Sequence, residues 1–559
     1  MNKPLLLLFL SLAVLTASAQ RLQSPWDGPG VALTDSPYQC PDPPQFDHLL
    51  HGEPYYTDAH ASIVDPVKKA AYEKATQGPV QLGQSAGLAA DAYLSTGSRA
   101  AAACVYSLLA AAANFDAWAA EQPAFQNVYD QNWMLSGTAI PYLKVRNSGV
   151  AAPGQRVAIE AWFSRVAARV RTYFDRGKGR PGTDAHNNHF YWAGLAVAAQ
   201  GIACNQRDAF LWGISTYYQG VHLIQPDGSL AAEMNRAGRA LHYQLYALGA
   251  LVMLAELGEA NGIDMYGMNQ GAIQRLVRFN VDALIDPSIL AKRTGVEQEV
   301  STPWSGLEIG WAVPWLKRFP DPRLAPFLAK ATWVRFWQWG GAPPEPLLPR
   351  PAPSGRQANF EADLRRALDA RIAAEFTDPA RSTAFVGQWC GQALESHRAA
   401  ISDAGPYLIL ANENGDSSTG RVAEDRVIVA PGWRNVAGLL TPNGLQIDWS
   451  NGTYWLRCAA ERPAVQSAVL AVRPASLTGK WFPAGPFNKP CTIRQQEDNL
   501  FIYCPHGQKA TGRVESGARL STNWSSGAIG ATVTDDGDHI NWDNQTWWTR
   551  ATLYEVSKK

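Results

Sequence analysis

The tightest constraint on the fold of this chain is that its C-terminal part is written twice. Gly387-Gln388-Trp389 answers to Gly479-Lys480-Trp481, and Thr419-Gly420-Arg421-Val422 to Thr511-Gly512-Arg513-Val514. Ile447-Asp448-Trp449-Ser450-Asn451-Gly452-Thr453-Tyr454-Trp455 answers to Ile540-Asn541-Trp542-Asp543-Asn544-Gln545-Thr546-Trp547-Trp548, each pairing offset by 92 or 93 residues. Self-similarity at a fixed spacing means two copies of one structural unit. Short alternating runs such as Leu445-Gln446-Ile447-Asp448-Trp449, set among Gly, Thr, Asn and Trp, predict strands. Two tandem β repeats are therefore expected, at 381–460 and 474–552.

The preceding half has a different texture. From about residue 62 to 339 it is rich in Ala and Leu, with apolar residues at helical spacing in 82–93, 100–119, 157–174 and 240–257. Ser95-Thr96-Gly97, Gly182, Pro226-Asp227-Gly228 and Gly262 break it into hairpins. Successive antiparallel helix pairs suit an α/α toroid, although periodicity alone does not separate toroid, bundle and solenoid. Ala342-Pro343-Pro344-Glu345-Pro346 and Pro349-Arg350-Pro351-Ala352-Pro353-Ser354-Gly355 read as a stiff extended linker followed by a charged helix, spanning 342–380. The expected fold class is multidomain: an all-α toroid or incomplete barrel over 20–341, then an all-β region of two repeats.

Residues 1–19 read as a secretory signal, with an apolar core at 5–15 and the small-residue site Ala17-Ser18-Ala19. A secreted or periplasmic protein is expected, with no later segment uninterrupted enough to span a bilayer. Lys plus Arg equals Asp plus Glu at 49 each, which argues against a surface given over to nucleic acid or membrane. Any anionic ligand must be gathered by a local cleft. Seven cysteines in an oxidising compartment predict disulfides with one thiol left over. Cys491 with Cys504 reads as a hairpin staple, Cys40 with Cys104 as a tie from the N-terminal arm to an early helix, and Cys390 with Cys458 as the closure of one β module. Cys204 is the odd one. Paired metal-ligand spacing is absent from the sequence, so neither a metal nor a cofactor is expected.

The chemistry is concentrated in Asn187-Asn188-His189-Phe190-Tyr191-Trp192 and, fifty residues later, in Arg239 and Tyr246. Seven residues span two helical turns, about 10.5 Å, and return to nearly the same face, so Arg239 and Tyr246 can point into one cleft. Amide, imidazole, guanidinium and phenol together suit β-elimination from a uronate. That reaction needs the C6 carboxylate neutralised, the C5 proton removed and the C4 oxygen protonated. Asn188 and His189 can bond the carboxylate, Arg239 can offset charge on the intermediate, and Tyr246 can carry the proton. An unperturbed phenol titrates at about 10, so Tyr246 as a base calls for a nearby cation, with Arg239 and His189 as the available donors. On a β-D-mannuronate unit the C5 hydrogen and C4 oxygen share one side of the ring, so one phenol could serve both, with His189 a stabiliser or alternative base.

These residues, with Cys40-Pro41, Tyr56, Tyr93-Leu94-Ser95-Thr96-Gly97, Pro226-Asp227-Gly228, Arg239-Ala240-Leu241, Tyr243 and Tyr246-Ala247-Leu248, give residues 36–315 a clear resemblance to the alginate lyases of polysaccharide lyase family 5. The resemblance implies an incomplete α/α toroid that cleaves alginate by β-elimination, prefers mannuronate-rich stretches and needs no metal. It implies catalytic roles for Asn188, His189, Arg239 and Tyr246 and a lid contact for Tyr56. The chain departs from the family at Tyr55, where Lys is frequent, and at Gln244, where His is frequent.

Further readings stand beside these. Trp192 is either core or a platform for a sugar ring. The series Arg165, Arg169, Arg171, Arg176, Lys178 and Arg180 is either a polyanion cleft or a solvated helix face. Trp433, Trp449, Trp455, Trp524, Trp542, Trp547 and Trp548 either fill the β modules or bind glycan, tethering the enzyme to polysaccharide or a cell surface. Rival functions are a lyase for another polyuronate such as glucuronan, an inactive carbohydrate-binding protein, and a hydrolase using Glu233 and Asp184.

Overall fold

The computed structural model describes residues 21–550 apart from 29, 178–182, 301, 347, 349, 351, 377–381, 391–397, 425, 442–443, 459–475, 484–489, 516–517, 534–536, 538 and 545. The leader expected at 1–19, the break at Gly182, the cations Lys178 and Arg180 and the linker prolines Pro349 and Pro351 lie outside the described residues.

The helical half runs α1 (Pro66–Ala75), α2 (Gln77–Thr96), α3 (Arg99–Phe115), α4 (Phe125–Val145), α5 (Gln155–Gly177), α6 (Asn188–Ala203), α7 (Arg207–His222), α8 (Ala231–Met234), α9 (Ala240–Glu259) and α10 (Met268–Ile285). Chain punctuation sets the ends. Gly97, at φ +71, closes α2 in the left-handed conformation, and the Ser98 hydroxyl caps α3. Helices α2, α4, α6 and α9 pack successively against one another, while α3, α5, α7 and α10 pack behind them. This is the inner and outer layering of an open α/α toroid. The inner helices α6 and α9 are buried on nearly every side because both layers cover them. By length and composition Ala237–Glu259 could cross a membrane, contrary to the sequence expectation, yet 94% of its apolar window is buried inside this domain.

The open side of the toroid is filled by a returning segment. Its 3₁₀ turn Trp337–Trp339 enters where α2 and α4 lack side chains: a Cβ on Gly83 would lie 2.8 Å from the Trp337 ring, and one on Gly137 2.8 Å from the Trp337 carbonyl. A buried ion pair locks the segment. Lys144 Nζ, on α4, donates to Asp91 at 2.7 Å and to the carbonyls of Gly340 and Ala342 at 2.7 and 2.9 Å, while the Ala342 N–H donates to the second Asp91 oxygen at 2.8 Å. Both charges are buried, so each needs these partners.

The expected linker does not stand free. Its helix, Gly355–Glu375, packs on α7, burying Leu364 and Leu368, and Arg350 pairs with the buried Glu361 at 2.5 Å. Arg371 adds an ion pair to Asp208.

Beyond it, two closed barrels each wind eight antiparallel strands in sequence order, Gly387–Cys390 to Tyr454–Arg457 and Gly479–Pro483 to Trp547–Thr549. The repeat letters have physical reasons. Gly387 and Gly479 take φ +143 and +147, open to glycine. Trp389 and Trp481 are fully buried, with indole N–H bonds to the Phe385 and Leu477 carbonyls, under the guanidinium groups of Arg457 and Arg550. The barrels touch each other through reciprocal amide bonds between Gln446 and Asn541, at 3.1 and 3.0 Å, and through His539 and Asp448 at 2.6 Å. The disulfides Cys40–Cys104, Cys390–Cys458 and Cys491–Cys504 are those expected, with Cys204 free.

Candidate active site

The N-terminal ends of the inner helices α6 and α9 bring the expected groups to one region. Asn187 caps α6, its side-chain oxygen accepting the His189 N–H at 3.0 Å, so Asn188 and His189 occupy the first helical turn. Asn188 is wholly buried and held by Glu233 of α8, whose two carboxylate oxygens accept its backbone N–H and its Nδ2, each at 2.8 Å. With Nδ2 committed, Oδ1 is left without a partner. Burial raises the Glu233 carboxyl against the lowering effect of Arg236 and the Asn188 bonds.

His189 lies flat on Tyr129, ring centroids 3.8 Å apart at 12°, and its Nδ1 is buried without a partner. Burial pushes the imidazole down to about 4, opposed by Asp184 and assisted by Arg236. It is neutral at physiological pH.

Arg239 ends the 3₁₀ turn Ala237–Arg239 that leads into α9. Its Nη1 donates to the Tyr56 hydroxyl at 2.7 Å, and the Tyr243 hydroxyl donates to the same oxygen at 2.8 Å. Tyr56 belongs to a loop before α1, where it bridges to Val64. Asp58 ties that loop internally through the Ser62 and Ile63 N–H groups, and His60 Nδ1 is 2.9 Å from the Asn235 carbonyl. Tyr56, expected as a lid contact, is hydrogen-bonded to the guanidinium.

Tyr246, 7% exposed, stacks on Trp192 with centroids 4.7 Å apart and donates its hydroxyl to Gln338 Oε1 at 2.7 Å. Trp133 touches the rings of both His189 and Tyr246, at 6.2 and 6.3 Å. The phenol departs from expectation. Burial holds it well above its ordinary value, the Gln338 bond lowers it, and neighbouring acidic groups including Tyr243 raise it again. At rest it is a protonated acid, burial outweighing any effect of the nearby cation.

Other readings change too. Trp192 is 0% exposed, packed between Tyr246 and Trp339, so it backs the phenol and is no sugar platform. Glu233 is engaged by Asn188, and Asp184 accepts the Tyr173 hydroxyl at 3.0 Å, so neither stands as a free hydrolase carboxylate. Arg165, Arg169, Arg171 and Arg176 pair with Asp116, Glu121, Asp208 and Glu121, the pattern of a solvated face. Trp449, Trp455, Trp542, Trp547 and Trp548 are buried in the barrels, and in each barrel three indoles pack edge to face, as core. Gln244, at the family's His position, clamps both backbone groups of Leu230. Tyr55 packs on Tyr56 and Tyr72, with the Lys69 ammonium 5.2 Å from its ring centre.

Several neighbours were missed in the sequence. Arg236 lies over Tyr243 at 4.5 Å, three residues before Arg239; Tyr129 and Trp133 are spaced i, i+4 on α4. Those spacings were readable. Gln338, which arrives on the returning segment, left no local signal.

The helical half of the chain is similar to known proteins. A family model described as alginate lyase matches residues 51–290. A polysaccharide lyase of Stenotrophomonas maltophilia (strain K279a) is 38% identical over 264 residues, covering 46% of this chain and 77% of that protein. An alginate lyase of Azotobacter chroococcum is 33% identical over 36% of this chain and 55% of that protein, and one of Pseudomonas syringae pv. syringae (strain B728a) is 28% identical over 55% and 82%. The crystal structure of alginate lyase A1-III from Sphingomonas species A1 aligns with 57% of this chain and 95% of its own, at 24% identity and a TM-score of 0.48. The sequence match falls on the helices that build the cleft, and with a relative matched across most of its length it makes the chain a member of the alginate lyase family and a polysaccharide lyase.

Proposed function

We propose that this is an exported enzyme that cleaves alginate by β-elimination, preferring mannuronate. Three disulfides fit an oxidising compartment. The observation that carries the reading is the convergence of Asn188, His189, Arg239 and Tyr246 from two helix starts beneath a tyrosine-bearing loop.

The charge states suggest a division of labour. Asn188 offers Oδ1, an acceptor, which suits a sugar carboxyl taken in its protonated form. Arg239, released from Tyr56, offsets the charge that develops on the enolate-like intermediate. On a mannuronate unit one group can take the C5 proton and return a proton to the C4 oxygen. Tyr246 fills that role as the phenolate, a form that bound substrate and Arg239 must favour, because burial holds the phenol well above its ordinary value. Cleavage then breaks the C4–O bond and leaves a C4–C5 double bond on the new non-reducing end.

Purified protein incubated with polymannuronate should raise absorbance at ~235 nm, where conjugated enoates absorb, faster than with polyguluronate or glucuronan. No rise on any polyuronate rejects the reading; a faster rise on glucuronan transfers it to another polymer.

A further inference from the structure

One turn of the first barrel is built into the segment that presents Asn188 and His189. It joins the strands Arg398–Asp403 and Leu408–Ala411, and it is tight: Asp403 accepts the Gly405 N–H at 2.9 Å and the Tyr407 carbonyl accepts the Ala404 N–H at 2.9 Å. Gly405, at φ +72, sits against the end of α7, where a Cβ would lie 2.5 Å from the His222 carbonyl. Only glycine allows this approach.

The turn delivers Tyr407 into the helical domain. Its ring, 6% exposed, meets Phe376 at 5.4 Å and His186 edge-on at 5.6 Å. The hydroxyl donates to Gln219 Oε1 at 2.7 Å. Gln219 is completely buried on α7, and its Nε2 donates to the Ala185 carbonyl at 2.6 Å and lies 3.2 Å from His186 Nδ1. Ala185 and His186 form the 3₁₀ turn Asp184–His186, after which come the cap Asn187 and then Asn188 and His189.

An amide has one donor end and one acceptor end. With a phenol on Oε1, Gln219 must turn Nε2 toward Ala185. Without it, a buried acceptor is stranded and the amide is held at one end only, so that its grip on the Ala185 carbonyl loosens. The turn that sets the start of α6 then loses its tie.

We propose that Tyr407, acting through Gln219, is a positioning residue for Asn188 and His189, so that the first barrel is a working part of the lyase. This rests on the assignment of those two residues to the reaction, and the test separates the two claims. Full-length wild type, Tyr407→Phe, Gln219→Leu and the double variant are compared by kcat and KM on polymannuronate and by hydrogen–deuterium exchange. Tyr407→Phe should lower kcat about tenfold, the scale of a fraction of an ångström of misplacement, with KM within about twofold. Exchange should quicken in 183–190 while 398–411 is unchanged. The double variant should be no slower than Gln219→Leu, since both act through one amide.

Unchanged kcat, exchange quickened only in the barrel, or effects that multiply would each overturn the proposal. If wild type itself forms no unsaturated product on any polyuronate, the proposed reaction fails, and quickened or unchanged exchange at 183–190 still decides for or against the tie.

Discussion

Lowering the pH tests whether His189 works as a neutral imidazole. Its titration is pushed from 6.5 down to about 4, chiefly by burial. At pH 5.5 such a group is about 97% neutral, whereas an unperturbed imidazole is only about 9% neutral. The acid limb of kcat/KM, which reports the free enzyme, should therefore have its midpoint near pH 4, with the pH 5.5 rate almost that at pH 7. Two variants move it in opposite directions: Asp184→Asn removes a group that raises the imidazole and should shift the limb to lower pH, and Arg236→Gln should shift it higher. Asp130, which burial pushes up to about 7, also titrates in this region, so the profile is repeated in Asp130→Asn, where any limb near 7 should vanish and the lower one remain. The same shift acts on stability. The unfolded chain binds the proton more readily, so the contribution is complete above pH 6.5 and is lost as pH falls through 4, by about 3 kcal/mol for 2.5 units. An acid limb at 6 to 7 that survives Asp130→Asn, or a His189 resonance titrating there by NMR, would refute the reasoning.

Lys144→Met should leave the Asp91 carboxylate with only Arg335, half-exposed at 3.2 Å, and the Ala342 N–H, lowering the stability of the helical domain by about 3 kcal/mol in urea unfolding followed by far-UV circular dichroism; a loss under about 1 kcal/mol contradicts the pair's role. Gln338→Leu removes the acceptor that aims the Tyr246 hydroxyl and should cut kcat about tenfold with little change in KM, a loss of the size expected for one stranded buried hydroxyl. Unchanged kcat would dismiss the contact. Tyr246→Phe should lower kcat on polymannuronate by about 10²- to 10⁴-fold while calorimetric binding stays within a few-fold; an active variant rules out the phenol as proton carrier.

Local patterns reached the text of the sequence wherever a residue's neighbours are its chain neighbours. The repeat offset of 92 is visible because Trp389 and Trp481 do the same task in two barrels, and Gly387 and Gly479 share the same backbone conformation. Helices with one wet face, such as α5, show their period. Helix α4 does not, since tertiary partners bury polar side chains on it: Asp130 under Tyr72, Asn127 against the Gly52 carbonyl, Lys144 on Asp91. The four residues of the candidate site could be proposed as a set from the sequence, yet their electrostatics could not. A cation seven residues from Tyr246 suggested a depressed phenol, but Arg239 turns to Tyr56, and burial decides the outcome.

The open toroid explains why distant segments finish the site. Its inner helices offer α6 and α9 as starting points for the polar groups, but the layer leaves a gap that α2 and α4 cannot fill, being thinned by Gly83 and Gly137. The indoles of the 3₁₀ turn fill it, Trp337 against α2 and α4 and Trp339 against α9 at Gly249, and the Lys144–Asp91 pair holds the turn where Gln338 meets Tyr246. Aim and packing are thereby the same event: the segment cannot withdraw Gln338 without emptying the core. Gln219 in turn links the 3₁₀ turn before α6 to the first barrel. The Tyr246 hydroxyl and the turn before His189 thus each bond to chain downstream of the matched residues 51–290, so the family match contains the proposed reacting groups but not all of their contacts.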